Sequence, residues 1–207
     1  MNDLKDECFG RGFDSHHLHH KKMKRLMLFL LLLLIPGEAF STTPIIEGLD
    51  TLKIVKKGLV QVGDWQRTPT VVICEDAPID RKDVRKALSW WSARGYIFYH
   101  SIYLRGDRSR AVCRNPDPTG YITINLVTQE TFEPGDNLAV THFYVDNDTR
   151  EIHWAKIYLK PQVEERVLEH ELGHALGWMH TEQRGHLMNE KLIYGGWKDS
   201  GLKKTIK

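Results

Sequence analysis

Eleven consecutive residues near the C-terminus, His170-Glu171-Leu172-Gly173-His174-Ala175-Leu176-Gly177-Trp178-Met179-His180, constrain this chain more than any other stretch. His170 and His174 are four apart, so on a helix of 3.6 residues per turn both imidazoles leave one face a turn apart and can grip a single ion. Glu171, adjacent to the first, is too close in sequence to share that ion easily. It is well placed to hold a water against it, the position of a general base. Gly177 tolerates the left-handed conformation that ends helices, so the chain can double back and bring His180 to the same ion. Three neutral imidazoles leave a fourth tetrahedral position to water, the pattern of a catalytic zinc rather than of a closed structural one. A bare His-Glu-x-x-His arises by coincidence on surface helices, but the added glycine and third histidine at fixed offsets argue against coincidence. His186 is a second candidate for the third ligand, without the glycine turn that serves His180.

Upstream, each element is read from its own pattern. Val71-Val72-Ile73-Cys74 is a short apolar run suited to a buried strand. Asp80 precedes Val84, Leu88, Trp90 and Trp91 at helical spacing, closing at Gly95, which predicts an aspartate-capped helix over 80–93. Strands are expected over 96–104 and 121–127, where β-branched and aromatic residues dominate. Segments 138–145 and 152–159 flank the turn-rich Asp146-Asn147-Asp148-Thr149-Arg150 and read as an antiparallel hairpin, one arm of which is a candidate sheet edge. Pro161 opens the helix that carries the histidines, predicted over 161–176, with Glu164 and Glu165 at the positive end of its dipole.

The N-terminus bounds where this chemistry would act. Lys21-Lys22-Met23-Lys24-Arg25 leads into ten apolar residues, Leu26 to Ile35, and then small residues, which reads as a secretory signal peptide cleaved after Ala39 or Ser41. Ten apolar residues are too few for a bilayer core of about 30 Å, so no stable membrane anchor is expected. His16, His17, His19 and His20 fall in the removed segment, where Met23 or Met27 would also make a more ordinary start. The expected organisation is therefore an extension and signal over 1–41, a short arm or pro-segment over 42–69, and a zinc domain over 70–207. Residues 1–41 hold six of the 29 Lys/Arg and five of the 27 Asp/Glu, so the remainder is close to neutral. Nothing in that balance favours nucleic acid as a partner. Cys8 is lost with the signal, leaving Cys74 and Cys113 as an even pair in an exported chain, expected to form a disulfide. His142 and His153, on predicted strands, are assigned no role.

The eleven-residue segment resembles the long zinc signature of the metzincin metallopeptidases, which is followed by a methionine turn. Met188, in Gly185-His186-Leu187-Met188, fits that turn at a separation similar to that in matrixins. Astacin-like and serralysin-like members carry a zinc-binding tyrosine two residues later, where this chain has Glu190. The resemblance implies an α+β fold: a twisted mixed sheet, mostly parallel with one antiparallel edge strand, a zinc-binding active-site helix and a small C-terminal subdomain. It implies one catalytic Zn2+ on His170, His174 and His180, Glu171 as general base, and Met188 as an apolar floor beneath the histidines. It further implies a secreted endopeptidase whose peptide substrate lies in extended form along the edge strand 138–145. Some metzincins also bind Ca2+, for which Asp146 and Asp148 are the candidates, although an Asp- and Asn-rich turn explains both without an ion. Cys113-Arg114-Asn115-Pro116-Asp117 is vaguely similar to the matrixin cysteine switch but follows the first core strand and helix instead of preceding them. Two other readings remain open: a zinc-dependent peptidoglycan hydrolase, and a non-catalytic zinc-binding secreted module. Oligomeric state, cleavage preference and target are not legible.

Overall fold

The computed structural model describes residues 44–47, 58–128, 138–191 and 196–204, all within one unit that runs from Glu38 to Lys207. The expected signal peptide and the histidines at 16, 17, 19 and 20 lie outside the described residues. The described residues form six strands and three helices: β1 (Ile45–Glu47), β2 (Thr70–Ile73), α1 (Arg81–Ser92), β3 (Ser101–Tyr103), α2 (Gly106–Cys113), β4 (Tyr121–Leu126), β5 (Ala139–Val145), β6 (Ile152–Leu159) and α3 (Val167–Ala175). The fold is α+β, and the strands make one sheet in the order β1-β5-β6-β4-β2-β3. Only β5 and β6 run antiparallel, as a two-strand hairpin must; the other four pairings are parallel. Among the described residues no helix is long and apolar enough to cross a membrane.

The hairpin turn explains itself locally. Asp146 Oδ1 accepts from the Asp148 N–H (3.0 Å), the Thr149 N–H (2.7 Å) and the Thr149 hydroxyl (2.9 Å), and Arg150 completes the reversal at φ 61. Those bonds hold the Asp146 carboxyl below its ordinary range. The residue is a turn-former whose Oδ1 is already engaged.

One face of the sheet carries the core. Val71, Ile73, Ile122, Ile124, Phe143, Ala155, Ile157 and Leu159 are all buried, as are Val84, Leu88 and Trp91 of α1 and Leu168, Leu172 and Ala175 of α3. As expected, Asp80 caps α1, its side chain accepting from the Asp83 N–H (2.9 Å). Trp91 can be fully buried because its indole N–H donates to the Glu169 carbonyl (2.8 Å), which ties α1 to the first turn of α3.

Four features depart from the expectations. First, α3 begins at Val167, not at Pro161. Lys160 still donates to the Leu138 carbonyl (3.2 Å), so the chain stays in the sheet to that point and residues 161–166 must turn it back over the core, the last step being Arg166 at φ 74. Second, of segment 96–104 only Ser101–Tyr103 is strand. Third, α2 was not foreseen: its sequence GDRSRAVC has no apolar stripe, and Ser109 is its buried residue. Fourth, β5 is not the sheet edge. Ile45, Ile46 and Glu47 pair in parallel with His142, Phe143 and Tyr144 and cover that part of its outer side. Residues 59–65, which fall within the stretch 42–69 expected as a short arm or pro-segment, pack on the body of the fold, with Val62 and Trp65 buried.

Candidate metal centre

The C-terminal end of α3 is built to hold three imidazoles rigidly. After Ala175 the chain leaves the helix, and Gly177 turns it at φ 89. An added Cβ at that position would collide with the Gly63 carbonyl, so the residue must be glycine for space as well as for conformation. The turn is clamped from outside by the 59–65 segment. Val62 donates to the Gly177 carbonyl (2.8 Å), Met179 to the Val60 carbonyl (2.9 Å), Gln61 Nε2 to the Leu176 carbonyl (2.9 Å) and the Trp65 indole to the Ala175 carbonyl (2.8 Å). The bonds from Val62, Gln61 and Trp65 satisfy carbonyls that a helix end otherwise leaves open.

His170, His174 and His180 converge as the spacing predicted. Their Nε2 atoms lie 3.0 Å apart for His170–His174 and His174–His180, and 3.1 Å for His170–His180. His170 Nδ1 donates to the Leu187 carbonyl and His174 Nδ1 to the Trp178 carbonyl, both at 2.6 Å. A carbonyl can only accept, so each Nδ1 carries the proton and each of these two Nε2 atoms presents a lone pair. Two such nitrogens at 3.0 Å cannot hydrogen-bond one another. Burial, the largest cause, pushes His170 down to about 4 and His180 to about 3, and His174 well below the usual imidazole range; repulsion from neighbouring imidazoles adds to it, from His186 on His170, from His180 and His170 on His174, and from His170 on His180. Two lone-pair-bearing nitrogens and the His180 Nε2 thus face a common point, an arrangement that a shared cation would satisfy. For comparison, a tetrahedral zinc with Zn–N bonds near 2.0–2.1 Å separates its nitrogens by about 3.3 Å. The group can hold a metal ion, and backbone carbonyls already orient two of its rings, as outer-shell partners do in metal sites.

Glu171 is fully buried beside the group, and the Thr141 hydroxyl of β5 lies 2.6 Å from its Oε2 and 3.2 Å from its backbone carbonyl. Thr141 escaped the sequence reading. The available signal was a single hydroxyl in the inward phase Ala139, Thr141, Phe143, Val145 of a strand that packs under the helix.

The loop after His180 closes on itself beneath α3. Thr181 donates to the Met188 carbonyl (2.9 Å), and Leu187 donates to the Lys198 carbonyl (2.8 Å). Met188 is buried against Gly173, where a Cβ would meet its Cε at 2.9 Å and Trp91 at 3.0 Å, so the missing side chain is what lets the methionine lie flush on the helix. His186 is a strut and not a ligand. Its Nε2 donates to the Ser200 carbonyl (3.1 Å), and its Nδ1 accepts the Met188 N–H (3.1 Å), which leaves no ring nitrogen for an ion. His142 and His153 stand apart from the centre, edge-on to Tyr158 and Tyr144.

Cys74 and Cys113 form the expected disulfide, with Cα atoms 6.0 Å apart, joining the end of β2 to the last residue of α2. A bonded Cys113 has no thiolate to offer a metal. No family model matches the chain, and no curated protein matches it.

Proposed function

We propose that the chain is a zinc-dependent endopeptidase of the metzincin, matrixin-like kind, exported from the cell that makes it. The observation that carries this reading is the conjunction at one end of α3 of three neutral imidazoles facing one point and a fully buried carboxylate one residue after the first. A purely structural centre would be expected to recruit a fourth protein ligand, and it would have no use for a buried glutamate beside it. Met188 packed against Gly173 of the helix that carries two of the histidines, and the disulfide suited to an oxidising compartment, are in keeping with the same reading.

His170, His174 and His180 would hold the ion. When bound, zinc supplies Lewis acidity that polarises a substrate carbonyl and lowers the pKa of water to about 7. Glu171 accepts the proton of the attacking water and then passes it to the departing amine, as a general base that becomes a general acid. The Leu187 and Trp178 carbonyls keep the ligand tautomers fixed through the cycle. A peptide would be recognised by strand pairing along β5, whose Thr141 touches Glu171 and whose outer side β1 now occupies. Substrate pairing opposite His142, Phe143 and Tyr144 therefore requires β1 to leave those residues.

Mass-spectrometric mapping of cuts in a degenerate peptide mixture tests the reading, with Glu171→Ala alongside. Cuts made only by the wild type are expected. A wild type that leaves peptides intact and releases fragments from peptidoglycan would move the activity to cell-wall crosslinks, and inactivity on both would leave a binding role.

A further inference from the structure

We infer that Thr141 is a positioning residue for Glu171: its hydroxyl holds the carboxylate in the attitude needed to take a proton from water. The inference rests on the peptidase reading above and adds to it a residue that lies outside the eleven-residue motif.

The geometry is specific. A threonine hydroxyl has one proton, and two acceptors of the same residue lie near it, Glu171 Oε2 at 2.6 Å and the Glu171 carbonyl at 3.2 Å. The shorter contact, to a carboxylate oxygen, takes the proton, since bonds to ionised acceptors are both shorter and stronger. Both residues are completely buried, so no bulk water competes for the bond. The hydroxyl itself has little freedom. Threonine is β-branched and stiff about its first side-chain torsion. Its strand is paired on both sides, with β6 opposite, where Thr141 faces Ile157, and β1 outside. Glu171 in turn sits in the second turn of a helix buried along its whole length. A rigid donor on a strand and a rigid helix thus leave the carboxylate few orientations, which is how supporting residues preorganise a reacting group.

Position along the chain makes the contact informative. The inward neighbours of Thr141 on β5 are Ala139 and Phe143, both buried and apolar. A hydroxyl among them is not needed for packing, since valine has the same shape, and among the described residues its acceptors are both on Glu171. The strand that would bind substrate therefore also steadies the residue that would act on it.

The test compares Thr141→Val, which keeps the shape and deletes the donor, with Thr141→Ser, which keeps the donor. Outer-shell partners of this kind typically change activity by about 10- to 100-fold, so Thr141→Val is expected to lower kcat on a peptide by that factor with KM within about threefold of wild type. Thr141→Ser should restore most of the lost turnover. Zinc affinity, measured by competition with a chromophoric chelator, should be the same in all three proteins, because the three imidazoles do not touch Thr141. Loss of zinc affinity in parallel with kcat would overturn the inference, since the residue would then act on the metal centre as a whole. So would equal losses in the valine and serine variants, or a valine variant with wild-type kcat. In each of those cases an active wild type leaves the peptidase reading standing. A wild type that cuts nothing, with zinc bound, removes that reading and the role of Thr141 with it.

Discussion

Gly177→Ala should destabilise the protein through two separable effects. At φ 89 an alanine adopts the left-handed region at a cost of about 1–2 kcal/mol. Its methyl would also be driven into Gly63, whose backbone C and N lie 3.1 Å from the ideal Cβ position, with the carbonyl oxygen closer still. Gly63 has little room to retreat. Val62 donates to Gly177 itself (2.8 Å), and Asp64 donates to Arg150 (3.0 Å) while accepting from Ile152 (2.9 Å). Overpacking against such a fixed neighbour costs about 1–3 kcal/mol more. The sum, about 2–5 kcal/mol, is a large part of a total stability of about 5–15 kcal/mol. At about 2–4 °C per kcal/mol it corresponds to a Tm lowered by about 4–20 °C. Gly120 supplies the control, because it stands at φ 84 with nothing within 4 Å of a Cβ. Gly120→Ala incurs the conformational cost alone, about 1–2 kcal/mol. Thermal unfolding of both variants, followed by circular dichroism at neutral pH with chelator present, isolates the collision from any effect of metal. Equal drops in Tm for the two variants would refute the argument that Gly63 makes position 177 a glycine.

Replacing Cys74 and Cys113 together by alanine should lower stability by about 4 kcal/mol, the loop-closure value for a separation of 39 residues; denaturant unfolding that shifts by less than a quarter of this would show that the unfolded chain is already constrained there. Metal-free protein should weaken on acidification. Unfolded imidazoles take up protons near 6.5 whereas His170 and His180 resist to about 4 and 3, so stability is fully present above 6.5 and drains away as pH falls through about 4 to about 3. Urea midpoints measured across that range check it, and a His170→Asn, His174→Asn, His180→Asn triple variant should show a flatter profile. Ile46→Pro removes a backbone donor from β1 and should free the outer side of β5, lowering KM for extended peptides; an unchanged KM would mean that β1 and substrate do not share that side.

How much of this was legible in the sequence differs from element to element, for physical reasons. The histidine cluster was readable because its geometry is local: helical spacing and one glycine turn set where three side chains point, and the structure adds the carbonyls of Leu187 and Trp178 that fix two of the tautomers and the 59–65 segment that clamps the turn. The hairpin was readable for the same reason, its turn being made by Asp146 and Thr149 within the segment itself. The start of α3 was not. Pro161 and two glutamates look like a helix opening, but the sheet still holds Lys160, and a tertiary bond of that sort leaves no trace in local propensity. α2 was missed because its one buried residue is a serine and its anchor is a disulfide 39 residues back. Three residues of β1 carry too little pattern to announce a strand, and Thr141 acquires its meaning only when β5 is laid under α3.

The three histidines are separated by intervals of four and six residues. An ion held there would close two very short rings and draw together no distant parts of the chain. The disulfide between Cys74 and Cys113 instead joins residues 39 apart in sequence, tying the end of β2 to α2. In a chain organised in this way the long-range tie is covalent and the metal tie local. On the proposed reading, removing the ion would empty a site at one end of α3 and leave the link between β2 and α2 in place.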